Sequence, residues 1–124
     1  MGSYGYHGDD GLKFDPQQPE GAPYGPTFGN GDVVGCGWNR SKKFVFYTLN
    51  GKSLGVAHEN VGGRLLPVIG LGGHEASVTL NFGQSPFLFD ISSNEEFQTY
   101  SKSNAIPQLG SFFGNFLNIL KFLF

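Results

Sequence analysis

At 124 residues the chain has room for one domain and one compact core, and no second domain is expected. Twenty glycines, thirteen phenylalanines and only 15% charged residues suit short strands joined by tight turns, and argue against a helical bundle and against wholesale disorder. A net charge of -2, with eight basic residues scattered along the chain, offers no dense positive surface and so excludes nucleic acid as a partner.

Cys36 is the single cysteine, so an internal disulfide is impossible and a reducing compartment, cytoplasmic or nuclear, is expected. The start, MGSYGYHGDDG, has neither the basic opening nor the apolar run of a secretory signal. Ser3 to Phe14 alternates aromatic and small residues around Gly8-Asp9-Asp10-Gly11, which predicts strand, turn, strand. Asp15 to Pro26 holds four prolines and reads as a loop kept out of any sheet by its missing amide donors. After a turn at Phe28 to Asp32, Val34, Cys36 and Trp38 share one face of a strand, while Val33, Gly35 and Gly37 share the other. The glycine face predicts close packing over the backbone.

Phe44 to His58 contains two strand-like runs meeting at Asn50-Gly51, the pair that most readily supplies a type I′ turn. Both faces of the first run are apolar, which places it centrally. Leu65 to Leu71, Val78 to Gly83 and Pro86 to Ile91 follow as further candidate strands. The expected fold is therefore all-β, an antiparallel sandwich or barrel over residues 1–91. Beyond it, Ser93 and Glu96 have capping-box spacing, so residues 92–104 are expected to be a linker or short helix. Residues 105–124 are apolar except for a narrow stripe of Ser111, Asn115, Asn118 and Lys121, which predicts an amphipathic tail helix. It is expected to dock on the sheet or, less favoured with one lysine, to touch a membrane surface.

The segments YGYHGDDG, YGPTF, GDVVGCGWN, FYTLNG, LPVIGL, NFG and PFLFDI resemble, in content, order and spacing, the SPRY domain of the Ran-binding protein M type. The resemblance implies a bent sandwich of two antiparallel sheets whose loops form a shallow protein-binding surface. It further implies a non-enzymatic role, as adaptor or scaffold in substrate recruitment to a ubiquitin ligase. Domains of this type begin with several strands before the YGYHGDDG segment, so a truncated sandwich, prone to self-association, is expected. A secreted or membrane-associated effector and a non-functional gene fragment are the alternatives.

No residue set here assembles a nucleophile, a base and an orienting group, so no catalytic residue is expected. Nor is a cofactor or metal. Asp9 and Asp10 beside His7 lack calcium-loop spacing, and His58-Glu59 and His74-Glu75 read as solvated loop residues. Cys36, flanked by glycines, reads as a buried, inert thiol. The resemblance points to Leu71, Gly72, Gly73 and His74, followed by Glu75. In peptide-recognising relatives this loop carries a valine, a tryptophan and a glycine, and here the tryptophan position is Gly72. Tyr6, His7, Asp9 and Asp10 are the neighbouring candidates for contact with a protein or peptide ligand.

Overall fold

The computed structural model describes residues 2–93 and, as backbone alone, 116–123. Two antiparallel sheets make up the fold. The smaller has three strands in the order β1 (Gly5–Tyr6), β2 (Leu12–Asp15) and β3 (Gln18–Pro23). The larger has five, built from β4 (Val33–Asn39), β5 (Phe44–Leu49), β6 (Lys52–His58), β7 (Ser77–Asn81) and β8 (Phe116–Leu123), in the order β6-β5-β4-β8-β7.

The β5–β6 hairpin follows from its turn. Asn50 and Gly51 both take positive φ, 51° and 82°, as a type I′ turn requires, and Leu49 pairs with Lys52 beside them. The Asn50 amide also binds the start of β4: its Oδ1 accepts the Val33 N–H at 2.8 Å and its Nδ2 donates to Asp32 at 2.9 Å. Asp32 in turn accepts the Gly29 N–H, and these two donors hold its carboxyl below the usual carboxylate range.

Because side chains alternate along a strand, β5 serves two cores. Phe44 and Phe46 join Phe89 on one face, with Val56, Phe87 and Ile91 against them. Val45 and Tyr47 join Ala57 and Val61 on the other, where Tyr4, Tyr6, Tyr24, Cys36 and Trp38 also pack. This second cluster joins the two sheets. On the glycine face of β4, Gly35 and Gly37 are buried and lie in register with Thr48 and Phe46.

Three expectations need correction. Gln18–Pro23, read as loop, is β3, because an edge strand leaves amide positions that a ladder does not use and so tolerates Pro19 and Pro23. Leu65 to Leu71 and Pro86 to Ile91, read as strands, are not strands among the described elements. The first is largely exposed and runs into Gly70, Gly72 and Gly73. The second ends in a short 3₁₀ turn, Ile91–Ser93, while Phe87, Phe89 and Ile91 enter the core. Of the expected tail helix, residues 105–115 and 124 lie outside the described residues; the backbone of Phe116–Leu123 is extended and pairs with both β4 and β7. The short helix expected after Ser93 lies outside the described residues. Among the described residues no helix is long and apolar enough to cross a membrane.

Phe46 is 1% exposed at the centre of one cluster. Truncation by Phe46→Ala is expected to cost about 3–5 kcal/mol in urea unfolding. A loss below about 1 kcal/mol would mean that this cluster does not carry the fold.

Candidate partner-binding surface

The β1–β2 turn is shaped by its own short-range bonds. The His7 N–H donates to Leu12 O at 3.0 Å and the Gly11 N–H to His7 O at 3.1 Å, while Asp10 Oδ1 accepts the Leu12 N–H at 2.9 Å. Gly11 takes φ 74°, and a Cβ there would lie 2.3 Å from the Gly25 carbonyl oxygen, which explains why glycine occupies it. That carbonyl belongs to the loop after β3, which is bound to the turn by the Tyr24 and Gly25 amides on Gly11 O and by the Phe28 amide on Gly8 O.

Under this turn lies an aromatic layer. The Tyr6 ring meets Tyr24 edge-on at 5.1 Å, Phe28 at 4.9 Å and Tyr47 at 5.3 Å, and its hydroxyl donates to Pro26 O. Tyr24 OH donates to Gly55 O at 2.7 Å and accepts the Tyr47 N–H at 3.2 Å, tying the loop to β5 and β6. Burial raises the Tyr6 and Tyr47 phenols and pushes Tyr24 up to about 12, so all three stay neutral donors at ordinary pH. Cys36 is pushed up to about 12 by burial as well, which leaves no thiolate nucleophile.

The candidate residues thus separate. Tyr6 is half-buried and serves the aromatic layer, whereas His7, Asp9 and Asp10 are exposed at the turn. Their ligand atoms lie within 4.8 Å of one another, a spacing a cation could touch. All three are exposed, however, and Asp10 already serves the Leu12 amide, so the turn accounts for the cluster. His7 also stacks on Phe14 at 4.1 Å. Leu71, Gly72, Gly73, His74 and Glu75 are exposed as well, on a bend closed by the Ala76 amide on Gly73 O at 3.4 Å. No described hydrogen bond or ring contact joins this bend to the β1–β2 turn. The segment leading to it is anchored by Leu65 in the core, yet exposes Leu66 at 72%, Val68 at 88% and Leu71 at 43%.

His58 is not the solvated residue its sequence suggested. It is 3% exposed at the end of β6, with Nδ1 3.3 Å from Asp15 of β2 and its ring against Tyr4 and Tyr47. A register shift between the Val45–His58 and Phe46–Val56 pairs defeats period-two counting here. Lys13 Nζ donates to Ala57 O at 2.6 Å beside it, so β2 is fastened to β6 twice. These residues line a cavity of about 550 Å³ together with Tyr4, Gln17, Gln18 and Asn60. The lining holds no serine, threonine or cysteine; its one hydroxyl is that of Tyr4, whose ring packs on His58.

Burial lowers the His58 pKa below 6.5 against the upward pull of Asp15. For Asp15, burial acts upward, but the Gln17 amide, the His58 ring and the Gln18 amide together outweigh it and hold the carboxyl below 3.8. Both groups bind protons more readily in the unfolded chain. Stability is therefore expected to fall as pH drops below 6.5 through His58, and further below 3.8 through Asp15. Urea midpoints against pH check this, with His58→Gln expected to remove the upper limb. A wild-type midpoint that rose between pH 6.5 and pH 3.8 would reverse the assigned sign. Gly11→Ala should cost about 2 kcal/mol or more, from the left-handed backbone and the Gly25 clash. A midpoint unchanged by that substitution would contradict the account of the turn.

Residues 1–85 match the family model described as "SPRY domain". Ran-binding protein 9 of Xenopus tropicalis is 53% identical over 89 residues, covering 72% of this chain and 16% of the relative. Human Ran-binding protein 9 is 52% identical over 89 residues, 72% of this chain and 12% of the relative. The Ran-binding protein M homolog of Arabidopsis thaliana is 35% identical over 109 residues, covering 88% of this chain and 23% of that protein. The chain belongs to the SPRY domain family. It spans less than a quarter of the length of these relatives.

Proposed function

We propose that this chain is a protein-binding module that performs no chemistry and holds a peptide or a folded partner through its loops. The observation that carries this reading is the segment Leu66 to His74, fixed to the core at Leu65 but presenting Leu66, Val68 and Leu71 to solvent. A run of apolar side chains left exposed beside a packed core marks a surface that another molecule covers. Leu71 and His74 supply the central contacts, and His7, Asp9 and Asp10 offer a second, polar turn. Tyr6 supports that turn from below. With Gly72 where peptide-recognising relatives place tryptophan, no large aromatic anchor is available, and affinity is of micromolar order, about -8 kcal/mol.

The finer role is that of an adaptor or scaffold recruiting substrates to a ubiquitin ligase, in the cytoplasm or nucleus. Its support is the similarity to Ran-binding proteins 9 and M over most of this chain.

The test is affinity capture from cells of the source organism, comparing the wild type with a Leu71→Asp, His74→Ala double variant of matching circular dichroism. The expected result is loss of the partners that the wild type retains, with ubiquitin ligase subunits among them. Identical partner sets would remove this loop from the binding surface.

A further inference from the structure

Scattered in sequence, half of the chain's eight cations come together in space. The β4–β5 turn carries Arg40, Lys42 and Lys43, all exposed. Val61 is pinned to that turn, its N–H donating to Lys43 O at 2.8 Å and its carbonyl accepting the Trp38 indole N–H at 3.2 Å. The chain therefore leaves this end of the sheet with Arg64, also exposed, three residues on. Asp32 closes the opposite end of β4, seven residues or about 23 Å away. Through the Phe28–Gly8 bond the turn bearing Asp9 and Asp10 is attached to the loop that Asp32 ends. A chain of net negative charge thus carries four of its eight cations on the turn after β4 and the segment leaving it.

The turn is rigid as well as basic. The buried Asn39 side chain accepts the Lys42 N–H at 2.9 Å, and Lys43 is held at φ 58°. Arg40 lies over the Trp38 ring at 5.3 Å. A guanidinium whose face rests on an indole keeps its N–H edge for another acceptor, and that edge matches a carboxylate in bidentate fashion. No described carboxylate forms an ion pair with Arg40, Lys43 or Arg64. Glu59 is the near acid by sequence, one against this group. Beyond Arg64 the surface turns apolar at Leu66 and Val68.

We propose that the end of the sheet formed by Arg40, Lys43 and Arg64 is a docking surface for an acidic polypeptide segment. One carboxylate is taken in fork geometry by Arg40, flanking carboxylates meet Lys43 and Arg64, and an adjoining apolar side chain rests on Leu66. The surface is separate from the Leu71–His74 bend and places two recognition elements on one small fold.

The experiment is fluorescence anisotropy on the full chain with a labelled peptide of Glu, Leu and Ser, against the same peptide with Gln for Glu. Binding of the Glu peptide is expected to weaken with added salt, and the Gln peptide should bind at least about tenfold more weakly. The Arg40→Glu, Lys43→Glu double variant should lose about tenfold or more, and Arg64→Glu, which leaves the turn intact, should lose several-fold. Leu71→Asp with His74→Ala should leave this affinity unchanged, which keeps a failure here distinct from a failure of the proposed function. Circular dichroism of each variant confirms folding, and if the double variant unfolds, Arg64→Glu alone decides. Equal affinity of wild type and charge variants overturns the proposal. So does equal binding of the Gln peptide, or stronger competition by a thymidine oligonucleotide or phosphatidylserine vesicles than by the Glu peptide.

Discussion

Everything else in this molecule is positioned by one strand that is buried on both faces. Phe44–Leu49 sends Phe44 and Phe46 into one cluster and Val45 and Tyr47 into the other, while its backbone is paired with β4 on one side and β6 on the other. A strand so placed has no solvated face and no free edge. Its burial is what allows the small three-stranded sheet, only lightly paired within itself, to adopt a fixed position. Tyr47 receives Tyr6 and Tyr24 from that sheet and its following loop, and His58 and Ala57, one strand away, receive Asp15 and Lys13.

The exposed turns depend on this arrangement through short, local devices. The β1–β2 turn keeps its shape because Gly11 lets the loop after β3 close against it, and because Tyr24 ties that loop to Gly55 and Tyr47. The Leu66 to His74 segment starts from Leu65, packed against the core, and exposes Leu66, Val68 and Leu71. At the far end of the sheet, Asn39 and Trp38 fix the basic turn. Rigid core and exposed loop are thus assigned to different residues, so substitutions in the loops can alter recognition without a large cost in stability.

Much of this was legible in the sequence where local chemistry decides the outcome. Asn50-Gly51 announced a hairpin because few other pairs accept two positive φ angles, and the Val34, Cys36, Trp38 alternation announced a strand with one bulky face. The family was legible too, in the order of its segments. What could not be read depended on pairing partners distant in the chain. Gln18–Pro23 looks like loop until β2 is beside it. The burial of His58 depends on a register shift, and the clustering of Arg64 with Arg40 on two hydrogen bonds of Val61. Of the candidate residues, the sequence does not show that the two turns lie apart or that the Tyr6 ring packs against the core.

Native-state hydrogen exchange resolved by residue tests the central place of β5 most directly. The amides of Phe44–Leu49 should be the most protected in the chain, exchanging only through global opening, while those of Leu66 to His74 exchange fast. Exchange of the β5 amides at rates matching the loops, with protection concentrated instead in β1–β3, would contradict the account.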